Sequence, residues 1–122
     1  MNSARDDEFA ALTAEATALG VVWTCLLGPV QAEGYTPDGR PWYFRARGWS
    51  WSFSVAEQVG AAVEVAVDVG LGLEPGWDRE RLFEAGGPFP ASRMPAVHAL
   101  ALIREALDDY ALGALERALL RR

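Results

Sequence analysis

The chain has 122 residues, of which 51% are hydrophobic, and a formal net charge of −6 at pH 7. This length predicts one domain, with enough apolar side chains, including five tryptophans, to form a core. The negative charge argues against nucleic-acid binding through phosphate contacts. No apolar run approaches the roughly 18 residues that span a membrane, so we expect no membrane insertion.

Cysteine usage and the N-terminus predict a cytoplasmic location. Cys25 is the one cysteine, so the chain has no internal disulfide and suits a reducing compartment. Residues 1–8 lack the positive and then apolar pattern of a secretion signal. All eleven basic residues are arginine, which is typical of a GC-rich bacterial genome and says nothing about chemistry.

Residues 5–19 are predicted to form a helix. Acidic residues 6–8 would occupy its first turn, where negative charge complements the helix dipole, and Gly20 favours its end. Apolar residues recur at helical spacing: Phe9, Leu12, Ala16 and Leu19.

Residues 21–27 leave two interpretations open. Their β-branched side chains favour a strand, which would bend at Gly28-Pro29 and continue to Tyr35. Trp23 and Leu26, however, also continue the helical stripe, so the helix would then run on to Gly28.

Two turn signals set the register of two hairpins. Pro37-Asp38-Gly39 fits a type I turn closed by a glycine at positive φ, which pairs Gly34 with Trp42. Gly48-Trp49 fits a two-residue type II′ turn, with glycine at its first central position.

The registers of the two hairpins were derived independently, yet both assign the side chains to the same two faces of the sheet. A shift of one residue in either hairpin would mix apolar and polar side chains on each face. One face is apolar: Val30, Ala32, Trp42, Phe44, Ala46, Trp51, Phe53 and Val55. The other is polar: Gln31, Glu33, Tyr43, Arg45, Arg47, Ser50, Ser52 and Ser54.

Residues 63–69 are predicted to form the fourth strand, because valine occupies every second position. Residues 70–92 are rich in glycine and proline and are predicted to form a long connection with one helical turn near Asp78–Glu84. Pro95 suits the first turn of a long C-terminal helix. Its apolar stripe has helical spacing: Leu100, Ile103, Leu107, Tyr110 and Ala114.

The sequence therefore predicts a single α+β domain. Its core is a four-stranded antiparallel meander, with one face covered by the long C-terminal helix and the shorter N-terminal helix. The other face is predicted to be wet.

Catalytic and metal-binding motifs are missing from the sequence. His98 and Cys25 are the only histidine and cysteine, and no Cys-x-x-Cys or His-Glu-x-x-His spacing occurs. Asp108 and Asp109 would point about 100° apart on a helix, so their carboxylates do not converge. We therefore expect a non-enzymatic protein without a cofactor or a metal.

The polar face and the second hairpin tip form the predicted binding site. Arginine on a rigid strand holds a carboxylate or phosphate bidentately, and serine hydroxyls add hydrogen bonds. Tryptophan at an exposed tip is typical of interaction hot spots. The plainer alternative is a solvated face whose arginines pair with carboxylates across the strands. The predicted site residues are Tyr43, Arg45, Arg47, Trp49, Ser50 and Ser52.

Two functions fit these residues. The first is a protein-binding module, accessory, regulatory or immunity-like, whose partner is another protein or a second copy of this chain. In size and class the chain is similar to small bacterial immunity and accessory proteins that act by binding another protein. The second is a binder of a small phosphate- or carboxylate-bearing ligand on the strand that carries Tyr43, Arg45 and Arg47.

Overall fold

The computed structural model describes residues 3–26, 30–83 and 91–120. Within these ranges there are three α-helices: α1 (Ser3–Ala18), α2 (Val63–Gly70) and α3 (Ala96–Leu120). The strands form one antiparallel sheet in chain order: β1 (Val22–Cys25), β2 (Val30–Tyr35), β3 (Pro41–Arg47), β4 (Ser50–Ala56) and β5 (Gly76–Leu82). A 3₁₀ helix, Ala91–Arg93, precedes α3. None of the described helices is long and apolar enough to cross a membrane.

The predicted register of both central hairpins is confirmed. Gly34 pairs with Trp42 across β2 and β3, and Arg47 pairs with Ser50 across β3 and β4. Gly39 and Gly48 have φ angles of 85° and 60°, in the region that the two turn types require. Turn chemistry and side-chain alternation therefore determine these three strands.

Residues 21–27 were compatible with either a strand or a helix, and within them Val22–Cys25 form the strand β1. Its continuation into one long strand is wrong, because β1 pairs antiparallel with β2 and places Trp23 opposite Ala32. The chain thus reverses between the two strands, and Gly28-Pro29 lies outside the described residues. This hairpin covers the free edge of β2 and packs the half-buried Trp23 against the core.

The predicted fourth strand is also wrong: residues 63–70 form the helix α2. As a helix, the segment buries Ala66 and Val69, and the Ser54 hydroxyl donates a hydrogen bond to the Ala66 carbonyl at 2.6 Å. The edge of β4 is instead occupied by β5, where a helical turn was predicted. The sheet therefore has five strands rather than four.

The apolar face is covered by α3 and α1, as predicted. Ile103 of α3 and Ala16 of α1 lie in the same buried cluster as the sheet residues Phe44 and Phe53. An ion pair of 3.0 Å between Arg104 and Glu15 links the two helices at the surface. Apolar burial on this face holds the fold together.

The opposite, polar face of the sheet is only partly exposed to solvent. α2 lies over one end of it, where Tyr43 and Val65 pack against a second buried cluster formed by Ala56, Ala66 and Val69. The rest of this face, toward the β3–β4 turn, is not covered by α2, and that uncovered part holds the candidate site.

Candidate functional site

The predicted site residues fall into two groups in the structure. Tyr43 lies beneath α2, and burial raises the pKa of its hydroxyl. The others lie toward the β3–β4 turn, in and around a concavity of about 210 Å³. We call this concavity the arginine groove; its lining residues are Arg45, Arg47, Ser50, Ser52, Gly70 and Glu80.

Strand pairing explains how the groove is assembled. Arg45 is opposite Ser52, which is in turn opposite Glu80 of β5. Arg47 is opposite Ser50 in the next row. Because the side chains of one strand alternate between faces, these residues share one face. The helix α2 ends at Gly70 and closes one side of the groove.

The two arginines lack charge partners. Among the described residues neither Arg45 nor Arg47 makes an ion pair, and the Nε of Arg45 is buried without a hydrogen bond. Glu80, which lies across β4 from Arg45, instead accepts a long hydrogen bond of 3.4 Å from the Ser50 hydroxyl. The alternative interpretation, in which these arginines pair with carboxylates across the strands, is therefore not seen among the described residues.

An apolar surface borders the groove. Trp49 is 63% exposed at the β3–β4 turn, and Leu82, opposite Ser50, is 69% exposed. The backbone N–H of Phe83 donates a 2.8 Å hydrogen bond to the carbonyl of Trp49, which ties the end of β5 to the turn. We call Trp49 and Leu82 the hairpin tip. The predicted exposure of Trp49 is confirmed, whereas Leu82 was missed because its segment was expected to be helical.

A larger cavity of about 790 Å³ lies at the opposite end of the sheet. It is bounded by the β2–β3 turn, the end of β4, the start of β5 and the C-terminal half of α3. We call it the Tyr110 cavity; its lining is Asp38, Arg40, Val55, Ala56, Glu57, Pro75, Gly76, Trp77, Tyr110, Ala114, Arg117 and Ala118. These residues come from four separate segments, so no local sequence signal indicated the cavity.

The polar groups of the Tyr110 cavity differ in how well they are paired. The Arg40 Nε donates to Asp38 at 2.8 Å, and its Nη1 donates to the Glu57 carbonyl at 2.5 Å. A hydrogen bond from the Thr36 hydroxyl, together with Arg40, lowers the pKa of Asp38. Tyr110 is buried, which raises the pKa of its hydroxyl, and that hydroxyl has no hydrogen-bond partner among the described residues.

The chain's histidine and cysteine lie on different elements, His98 on α3 and Cys25 on β1. His98 contacts the ring of Phe83 edge-on, with centroids 5.1 Å apart, while Cys25 lies half-buried on the edge strand β1. Within residues 3–26, 30–83 and 91–120, no three metal-ligating side chains cluster.

No family model, curated protein or solved structure matches this chain.

Proposed function

We propose that this protein is a non-enzymatic module that binds another protein through the arginine groove and the hairpin tip. The observation that carries the proposal is the juxtaposition, at one end of the sheet, of two arginines without ion pairs and two exposed apolar side chains. An accessory, regulatory or immunity-like role would be served by such a surface.

The hairpin tip supplies the apolar part of the surface. An indole that is 63% exposed gains free energy when a partner covers it, and tryptophan is among the residues most enriched at interaction hot spots. Leu82 is paired with Ser50, the residue after Trp49, so both apolar side chains lie at this end of the sheet. The tip is held by β4 and β5 pairing, which limits the entropy lost on binding.

The groove defines the chemistry of the partner. A carboxylate of the partner between Arg45 and Arg47 would accept charge-assisted hydrogen bonds from the two guanidinium groups. Ser50 and Ser52 line the same groove and add hydroxyl donors. Glu80 disfavours a second negative charge on the β5 side. The surface therefore suits an acidic side chain next to an apolar one.

A second copy of the chain is one form that the partner can take, because β1 and β5 are the edges of the sheet. Pairing of β5 with its copy about a twofold axis normal to the sheet at Arg79 would place Asp78 opposite Glu80, a repulsive contact. This register of a β5-edge homodimer is therefore disfavoured.

A small anion bound in the arginine groove is the second candidate function. The two guanidinium groups without ion pairs favour it, and about 210 Å³ suits inorganic phosphate or a short carboxylate. Tyr43 would not take part, because it packs beneath α2. Phosphate or acetate should then raise the melting temperature of the wild type and leave that of Arg45→Gln unchanged.

Affinity capture from a lysate of the source organism, quantified by mass spectrometry, tests the leading proposal. The wild type should retain a stoichiometric partner that the double variant Arg45→Ala/Trp49→Ala loses. Leu73→Ala and Arg93→Gln are matched controls, since Leu73 is 71% exposed and Arg93 is exposed, and neither lines the groove. Size-exclusion chromatography of the same four proteins reports whether the partner is a second copy.

Purified partner then gives the affinities of the single variants. Trp49→Ala should weaken binding at least tenfold, which corresponds to about 1.4 kcal/mol, and Arg45→Gln should act in the same direction. Equal capture by the wild type and the double variant would place the interaction elsewhere on the protein. Equal loss in Leu73→Ala would show that the effect is not specific to the hairpin tip.

A further inference from the structure

The Tyr110 cavity lies between elements that are already packed together, so its shape is largely set by the fold. Val55 at the end of β4 and Trp77 of β5 are directly paired. The Trp77 ring meets Phe53 and Tyr110 edge-on, with centroids 6.1 and 5.7 Å apart. Ligand sites are commonly preformed in this way, at the junction of several elements.

Tyr110 contributes a hydrogen-bond donor to this cavity. The side chain is only 9% exposed, and its hydroxyl has no hydrogen-bond partner among the residues that the structure describes. The hydroxyl itself remains accessible to water, so it can donate a hydrogen bond to a ligand oxygen in the cavity. Arg40, Asp38 and Arg117 all lie close enough to influence the pKa of this hydroxyl.

Of the two arginines that line the cavity near the Tyr110 hydroxyl, only Arg117 lacks an ion pair among the described residues. Arg40 is bound to Asp38 and to the Glu57 carbonyl. Arg117, in contrast, makes no ion pair with any described residue. An unpaired guanidinium and a hydroxyl donor together match one carboxylate, whose two oxygens accept from both. Asp38 would repel the second negative charge of a phosphate monoester.

The remaining lining includes the Glu57 carboxylate and a group of apolar side chains, which define the rest of the ligand. The apolar side chains with exposed surface are Pro75, Trp77, Ala114 and Ala118, whereas Val55 and Ala56 are fully buried. A volume of about 790 Å³ lies within the roughly 300–1,000 Å³ that is usual for small-molecule sites. The ligand would place its apolar body against these side chains and its charged end toward Arg117.

We propose that the Tyr110 cavity is a second binding site, which takes a small molecule with one carboxylate on an apolar body. The site is independent of the proposed protein-binding surface. Val55 lines the cavity and Ser50 lines the arginine groove, five residues apart along β4, which is roughly 17 Å. The failure of one proposal therefore leaves the other standing.

Titration followed by ¹H–¹⁵N NMR tests this site, with phenylacetate, benzoate and octanoate as probes. The carboxylates should saturably shift the indole N–H signal of Trp77. Phenylacetamide, the neutral analogue of phenylacetate, should bind at least tenfold more weakly. Phenyl phosphate should also bind more weakly than phenylacetate, because of Asp38. Tyr110→Phe and Arg117→Gln should each weaken phenylacetate binding about tenfold.

Arg93→Gln is the matched control, because it removes one positive charge from an exposed position outside the cavity. It should bind phenylacetate as the wild type does, and thermal unfolding of every variant should show a cooperative transition. The proposal is overturned if no carboxylate shifts the Trp77 signal at millimolar concentration. It is also overturned if the amide or the phosphate binds as tightly as phenylacetate, or if both cavity variants keep wild-type affinity.

Discussion

Phe53 lies at the centre of the apolar sheet face, and its replacement by alanine should lower the free energy of unfolding by roughly 3–5 kcal/mol. The side chain is fully buried, stacks on Trp42 with centroids 5.3 Å apart and meets Trp77 at 6.1 Å. Burial of such a side chain is worth about 1.5–3 kcal/mol. Each aromatic contact adds about 0.5–1.5 kcal/mol, so the sum brackets the expected loss.

Urea unfolding followed by far-UV circular dichroism, with linear extrapolation to water, measures this loss. A domain of this size has a total stability of about 5–15 kcal/mol, so Phe53→Ala can unfold outright. Phe53→Leu, which keeps most of the volume, should cost roughly 1–2 kcal/mol and remain measurable. Trp49→Ala is the control, because an exposed aromatic on the same hairpin should change stability by less than about 0.5 kcal/mol.

The assignment of the two sheet faces depends on this comparison. A loss below about 1 kcal/mol for Phe53→Ala, or an equal loss for Trp49→Ala, would show that the apolar face is not the buried one.

Three further predictions use the same unfolding assay. Gly34→Ala should cost roughly 1–3 kcal/mol, since a Cβ there would lie 2.6 Å from the Trp42 ring; no loss would contradict this close contact. Ser54→Ala should cost about 0.5–1.5 kcal/mol because it removes the buried hydrogen bond from the Ser54 hydroxyl to the Ala66 carbonyl, whereas a cost no larger than that of Ser52→Ala would show that the bond contributes nothing. Burial raises the pKa of the Tyr110 and Tyr43 hydroxyls in the folded protein. The stability that these neutral hydroxyls contribute is therefore fully present below the unfolded-state pKa of about 10, and it is lost as the pH rises above that value. Tyr110→Phe should reduce this alkaline loss of stability, and an unchanged pH profile would refute the assignment.

The sequence determined the parts of the fold that depend on neighbouring residues. Gly39 and Gly48 each sit where a specific turn needs positive φ, and each turn fixes the pairing of its two strands. Once that pairing is fixed, alternation decides which side chains are buried, so the polar face with Arg45 and Arg47 follows directly. The exposure of Trp49 followed from the same register.

Tertiary structure decided which segment pairs with the outer edge of β4. Residues 63–70 alternate as a strand does, yet residues 76–82 take that position. Valine at every second position is compatible with either structure over so short a segment. As a helix, the first segment buries Ala66 and Val69 and pairs the Ser54 hydroxyl, gains that depend on residues distant in the chain.

The two candidate sites differ in how much of each could be predicted from the sequence, because each also depends on elements that are distant in the chain. The side chains of Arg45 and Arg47 are placed by local alternation, but the groove they line also needs Gly70 of α2 and Glu80 of β5. The Tyr110 cavity joins the β2–β3 turn, two strand ends and α3. Local propensity and periodicity set the direction of a side chain along its own element, whereas only the packing of distant elements encloses a cavity.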